Sequence, residues 1–311
     1  MTSPTCGGRR TSSLALLGTL LALLALLAAC GSDEPEAADA STPDRLVIGG
    51  IPDQDPDRLQ RQFGLVADHL AAELGIEVVY QPVADYDAAV SAFRVGDLDL
   101  VWFGGLTGVQ ARLQVDGARA IAQRDVDAEF TSVFIAGADT GIEPIDDVDG
   151  LITLAGRSLT FGSDSSTSGR LMPQSFLAKA GVELGDLAGE PGFSGSHDAT
   201  IELVEAGSFE AGALNSQVWD ARVEEGTVDT SQVVEVFRTP TYYDYHWVVR
   251  PDVGDELIAR IQAALLALDA EDPEDAEVLD LFGGGAGRFV ETSDGNYAEI
   301  EAVAREIGMV E

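Results

Sequence analysis

RLVIGGIPDQDPDRLQRQFGLVADHLAAELGIEVVY, residues 45–80, holds two short apolar runs with an amphipathic stretch between them. RLVIGG (45–50) and IEVVYQ (76–81) have the length and β-branched content of strands. Between them Leu59, Phe63, Val66 and Leu70 recur at helical spacing. Asp55 is a candidate N-cap, and Pro56 then falls at the first helical position, where its missing N–H costs nothing. The spacing predicts strand, helix, strand, with the apolar face of the helix laid on a sheet. A further helix after Asp85 and the run LDLVWF (98–103) extend this to β-α-β-α-β, the alternation of an α/β protein.

A second alternation follows in TSVFIAG (131–137), RSLTFG (157–162), a helix, a strand near Gly192-Phe193, a helix from about Ser196, AGAL (211–214), another helix and VVEVF (233–237). YHWVVR (245–250) is one more strand, and helices near 252–269 and 294–307 close the chain. Two similar sets imply two lobes. No Gly/Pro/Ser-rich break separates them, so extended segments around 131–137 and 238–247 are expected to cross between them.

The first thirty residues stand apart. Arg9 and Arg10 precede an apolar run from Leu14 to Leu27 that is short for a membrane span and ends in Leu27-Ala28-Ala29-Cys30. This is the pattern of a bacterial lipoprotein signal, with Cys30 as the lipidated N-terminus. Residues 31–44, GSDEPEAADASTPD, lack periodicity and suit a flexible acidic tether. The expected organisation is a signal peptide over 1–29, a tether over 30–44, one lobe from 45–130 with 248–311, and a second from 131–247 including the crossing segments. Loss of Cys6 with the signal leaves Cys30 as the one cysteine, so no disulfide is expected in the body.

Charge narrows the function. The formal net charge is −36, and removing residues 1–29, with two arginines and no acids, makes it −38. Nucleic acid is thereby excluded as a partner. The 45% hydrophobic content excludes a disordered chain.

FGSDSSTSGRLMPQSFL (161–177) places a run of small hydroxyl residues where a strand gives way to a helix. Helix starts leave amide N–H groups unpaired, and the helix dipole adds roughly half a positive charge there. Amides and hydroxyls together make an anion cradle that needs no lysine or arginine. Pro173 falls inside the expected helix, where it would cost about 3 kcal/mol unless a kink accommodates it.

SSTSGRLMP (165–173), preceded by FGSD, resembles the signature of the periplasmic phosphonate/phosphite-binding protein family of ABC importers. IGGIPDQDPDRLQRQFGLVADHLAAELG (48–75), DYDAAVSAFRVGDLDLVWFGG (85–105), SHDATIELVEAG (196–207) and TYYDYHWVVRPD (241–252) match its other blocks in order and spacing. WFGGLTGVQARL, FTSVFI and YYDYHW are most similar to a subgroup named for selenate transport. The resemblance implies a two-lobed clamshell of the type II-like periplasmic-binding-protein fold, with the ligand between the lobes. It also implies an ABC permease and its ATPase as partners. By position, Ser166, Thr167 and Ser168 inherit the oxyanion-holding role, and Tyr86 and His197 match further ligand-contacting residues.

Two positions depart from the phosphonate binders. Gln217 stands where they place a glutamate, and Tyr245, beside Asp244, where they place an aspartate. An amide or phenol can donate to a fully ionised anion such as selenate or sulfate, whereas a carboxylate accepts from a protonated one. Gln217 and Tyr245 therefore point toward a fully ionised guest, and Asp244 and Asp53 point back if either faces inward. A phosphonate, phosphite or phosphate ligand, or a sensory domain uncoupled from transport, are the alternatives. Catalysis is not expected: Ser194, Ser196, His197 and Asp198 crowd one helix start, whereas triad members converge from separate segments. The three histidines, 69, 197 and 246, lack metal-ligand spacing, and no cofactor is expected.

Overall fold

The computed structural model describes residues 44–283 and 287–311. Cys30 and the expected signal and most of the tether lie outside the described residues. In chain order the elements are β1 (Arg45–Gly50), α1 (Pro56–Leu74), β2 (Glu77–Tyr80), α2 (Tyr86–Val95), β3 (Leu100–Phe103), α3 (Gly105–Gln114), β4 (Arg119–Arg124) and β5 (Ser132–Gly137). There follow β6 (Leu159–Phe161), α4 (Met172–Lys179), β7 (Gly192–Phe193), α5 (His197–Glu205), β8 (Ala211–Asn215), α6 (Ser216–Glu224) and β9 (Val233–Arg238). The last are β10 (His246–Val249), α7 (Asp255–Leu266), α8 (Pro273–Phe282), β11 (Phe289–Glu291) and α9 (Ala298–Ile307).

These form two mixed sheets, each covered by helices. The first has the order β11-β4-β10-β3-β1-β2, parallel across β2, β1 and β3 and antiparallel beyond. The second has the order β7-β6-β8-β5-β9. The helix starting at Pro56 is capped as its sequence requires: Asp55 Oδ1 accepts from the amides of Asp57 at 3.0 Å and Arg58 at 3.1 Å. Its buried residues include Leu59, Phe63, Val66 and Leu70, the stripe read from the sequence.

The crossing differs from the expected one. SVFIAG (132–137) is buried throughout and lies between β8 and β9 inside the second sheet. The chain passes between lobes over the preceding residues, where Phe130 and Tyr242 exchange backbone hydrogen bonds of 2.9 Å each way. Asp244 N–H donates to Asp127 O at 3.1 Å, and Thr239 N–H to Ser132 O at 3.0 Å. The two crossings thus run side by side. The first sheet recovers the chain at His246, which pairs with Phe103.

Pro173 is accommodated without a kink inside a helix. The chain first makes one wide π-type turn over Thr167–Leu171, in which Leu171 N–H bonds Ser166 O at 2.9 Å, and α4 begins only at Met172. Pro173 follows that turn directly, and the carbonyls its missing N–H would have met are bonded elsewhere, Ser168 O to Ser132 Oγ and Gly169 O to Gly162 N–H.

Candidate functional site

The hydroxyl run lies on the face of the second lobe that meets the first. Ser166, Thr167 and Ser168 are all buried. Ser166 caps the wide turn, its Oγ accepting from Gly169 N–H at 3.0 Å. Ser168 is fixed through its carbonyl, which accepts from Ser132 Oγ at 2.7 Å. That hydroxyl proton being spent, Tyr242 Oη is the donor to Ser132 Oγ at 2.6 Å. Thr167 reaches across the cleft, where its Oγ1 accepts the Leu106 N–H at 2.9 Å. Asp244 Oδ1 takes the neighbouring Gly105 N–H at 2.8 Å. Together they cap the start of α3. Gly104 makes this approach feasible: a Cβ there would lie 3.1 Å from Thr167 Oγ1 and 3.2 Å from Asp244 Oδ1.

Other helix starts converge here. Tyr86, the first residue of α2, is buried with its Oη unpartnered, on the side of Ser166. His197 opens α5 and donates its N–H to Asp53 O across the lobes at 3.0 Å. Its Nδ1 accepts from Asn215 N–H at 3.3 Å, so the neutral ring carries its proton on Nε2, 3.4 Å from Tyr245 Oη. Burial pushes the imidazole pKa down to about 4, so the ring is neutral at physiological pH. Tyr245 Oη donates to Asp53 Oδ2 at 2.7 Å and accepts from Asn215 Nδ2 at 3.1 Å. Asn215 Oδ1 meanwhile accepts the amides of Gln217 and Val218 at 2.7 and 3.2 Å and so caps α6.

Two carboxyls occupy the same region, and both face inward. Asp53 is 4% exposed, and burial pushes its pKa up to about 6 against the hydrogen bond from Tyr245. Asp244 is fully buried, and burial pushes its pKa up to about 7 against the Gly105 amide. The hydroxyls of Thr167 and Ser168 also lie beside it, while its Oδ2 has no partner. Gln217 lies to one side, lining a cavity of about 20 Å³ with Asp53, Gln62, Arg124, Asn215 and Tyr245. Its Oε1 is buried and unpartnered.

The structure therefore gathers Tyr86, Ser166, Thr167, Ser168, His197, Asp244 and Tyr245, from segments 159 residues apart at the extremes, with Gln217 at the margin. The condition set on Asp244 and Asp53 is met, since both carboxyls are buried and Tyr245 donates its proton to Asp53, which turns the reading of Gln217 and Tyr245 back toward a protonatable guest. Sequence reasoning missed Asn215, a helix cap whose amide orients Tyr245, and Gly104. It also missed Arg124, which lies beyond Tyr245 in a strand not recognised as one. Among the described residues no group of three or more His, Cys, Asp or Glu is placed to hold a metal.

Hydroxyls and helix starts between two α/β lobes can donate to a small anion, and the buried carboxyls beside them suit one that carries a proton. The model of the ABC-transporter phosphonate periplasmic substrate-binding proteins matches residues 48–297. The chain belongs to that family. A probable ABC-transporter phosphite-binding protein of Prochlorococcus marinus is 45% identical over 275 residues, covering 87% of this chain and 92% of that protein. A phosphate-import protein of Mycolicibacterium smegmatis is 27% identical over 270 residues, covering 82% of each. The solved structure of PhnD1 from Prochlorococcus marinus in complex with methylphosphonate superposes with a TM-score of 0.83 at 45% identity, covering 86% of this chain and all of that one. A phosphonate-transporter binding component of Pseudomonas aeruginosa, at 18% identity and a TM-score of 0.72, shares the fold. As a member of this family of periplasmic substrate-binding proteins, the chain binds its ligand without transforming it.

Proposed function

We propose that the protein captures a tetrahedral oxyanion that keeps a proton near neutral pH, phosphite or a small phosphonate, and delivers it to an ABC permease. The observation that carries this reading is the unpartnered, buried Asp244 Oδ2 beside the Thr167 and Ser168 hydroxyls. A carboxyl there, its pKa close to the last one of a phosphite or phosphonate, shares one proton with such a guest, whereas selenate and sulfate are too weakly basic to share one and are repelled once the carboxyl ionises. Phosph(on)ate-type groups lose their last proton near neutral pH, so one proton is shared between guest and carboxyl. The relatives named for phosphite and the methylphosphonate complex support the same class.

Of the nearby cations, Arg124 is paired with Asp127, and Arg170, in the turn that follows Ser168, lies against the rings of Phe161 and Phe193 with Nε and Nη1 unpartnered. The starts of α2, α3 and α5 and the turn at Thr167 bring positive dipole ends to the region, while the amides of Gly105, Leu106, Gly169 and His197 are bonded within the protein. A thermal-shift panel tests the class: phosphite and methylphosphonate should raise the melting temperature, since a ligand bound only by the folded state stabilises it by mass action. No shift with either, and a clear shift with selenate, would reverse the assignment.

The same reading places the protein outside the cytoplasmic membrane, held by lipid on Cys30. The support is the sequence ending Leu27-Ala28-Ala29-Cys30. Cys30→Ser should leave the chain unprocessed or release it from membranes, and normal cleavage with membrane retention in that variant refutes the anchor.

A further inference from the structure

Arg124 and Asp127 form an ion pair with side chains 3% and 0% exposed, at the first crossing between lobes. Nη2 meets Oδ1 at 2.5 Å and Nε meets Oδ2 at 2.9 Å. Nη1 donates to Phe282 O and Gly283 O at the end of α8, the former at 2.5 Å. A buried pair of this kind returns little net stability, because desolvating two charges consumes most of their attraction. Its orientation suggests another role. The cationic end faces Tyr245, whose ring centroid is 5.3 Å from Arg124 Cζ and whose hydroxyl is bound to Asp53. Trp102 stacks on the same tyrosine ring at 5.7 Å and lies 5.6 Å from the guanidinium, which fixes the group. The anionic residue adjoins the other carboxyl: Asp127 O accepts the Asp244 amide at 3.1 Å.

We propose that Arg124 and Asp127 are positioning residues whose dipole divides the two cleft carboxyls, keeping Asp53 charged as the acceptor for Tyr245 and a proton on Asp244. The proton kept on Asp244 in the ligand-free protein is then the one it shares with a bound phosphite or phosphonate, and Asp53 holds Tyr245 and, through it, His197 and Asn215. This deepens the oxyanion-binding reading and rests on it for the identity of the guest.

The surroundings of each carboxyl agree. Around Asp53 stand Tyr245 from the second crossing, His197 and Asp198 from α5, Tyr80 from β2 and Tyr86 from α2. Arg124 is the cation acting on it, favouring the charged form, while Asp198 acts the other way. Around Asp244 stand the Gly105 amide, the hydroxyls of Thr167 and Ser168, and the phenols Tyr86, Tyr242 and Tyr297. Asp127 is the charge acting on it, favouring the protonated form. His246, whose Nδ1 is 3.0 Å from Asp244 O, is kept neutral by burial.

Carboxyl-carbon NMR of the ligand-free protein tests this, with Asp53→Asn and Asp244→Asn to assign the signals. In the unaltered protein Asp53 should titrate at lower pH than Asp244. The double variant Arg124→Gln with Asp127→Asn removes both charges together and leaves no single buried charge unpaired. In it the two midpoints should converge, Asp53 rising and Asp244 falling by about half a pH unit or more. Midpoints unmoved in the folded double variant overturn the proposal. So does the reverse order of titration in the unaltered protein, a result that needs no variant to fold. Phosphite binding is not part of the measurement, so failure here leaves the ligand assignment standing, and the converse.

Discussion

Tyr245 Oη lies 2.7 Å from Asp53 Oδ2, joining residues 192 positions apart in one hydrogen bond. The same oxygen accepts from Asn215 Nδ2, so one phenol ties the first lobe, the second crossing and the second lobe together. Tyr245→Phe should fold, since the ring keeps its stack on Trp102. It strips a buried carboxyl of its donor and an amide of its acceptor, a loss of about 1–3 kcal/mol. Ligand affinity measured by calorimetry should fall about tenfold, and an unchanged affinity would remove Asp53 and Tyr245 from the site's working parts.

Thr167 makes the contact most sensitive to one atom. Thr167→Ala deletes the acceptor of the Leu106 amide and a candidate donor to the anion, and should weaken binding by roughly 1.5–3 kcal/mol. Thr167→Ser keeps the hydroxyl and should recover most of the affinity. Equal loss in both variants would show that the methyl group, not the hydroxyl, matters.

Gly104→Ala tests the approach of the lobes. The added carbon would lie 3.1 Å from Thr167 Oγ1 and 3.2 Å from Asp244 Oδ1, closer than ordinary van der Waals contact, so the two side chains that cap α3 must shift. The thermal midpoint should change little. Ligand affinity by calorimetry should fall, because the shifted atoms belong to Thr167 and Asp244, and an unchanged affinity would contradict the close packing at this glycine.

Much of the fold was legible because local signals agreed with the tertiary outcome. Asp55, Pro56 and the Leu59–Leu70 stripe each point to the same helix. Four elements, α3, β4, α8 and β11, were not legible, three of them for physical reasons that their contacts show. GLTGVQARLQ, which forms α3, opens with glycines that disfavour a helix, and its start is secured by Asp244 and Thr167 from far along the chain. RAIAQR, which forms β4, ends in Gln123 and Arg124, polar residues buried only because Tyr297 and Asp127 satisfy them. The third, the short β11, pairs with β4 and has no signal of its own. At the site, the hydroxyl run declared itself, as three adjacent small polar residues at a strand-to-helix junction. The inward turn of Asp53 and Asp244 did not, since burial of a carboxylate depends on partners no local pattern reveals.

Stability should report that burial. The Asp244 pKa is about 7 in the fold against about 3.9 for an unfolded chain, so the folded state holds the proton more tightly. The stability linked to it is whole below about pH 4 and is lost as pH rises through 7. Asp244→Asn stays neutral and escapes the loss. Relative to the unaltered protein, the variant should gain on the order of 2–4 kcal/mol between pH 4 and pH 8 in ligand-free urea melts. A difference that does not change with pH would contradict a buried, proton-favouring carboxyl.

The most direct measurement is the affinity ratio between protonatable and fully ionised oxyanions. Calorimetry at pH 7 with phosphite, methylphosphonate, sulfate and selenate should show the first two binding at least about tenfold more tightly, a difference of about 1.4 kcal/mol. Asp244→Asn should narrow that ratio by removing the carboxyl that shares a proton with the guest. Selenate or sulfate binding as tightly as phosphite to the unaltered protein would contradict the account.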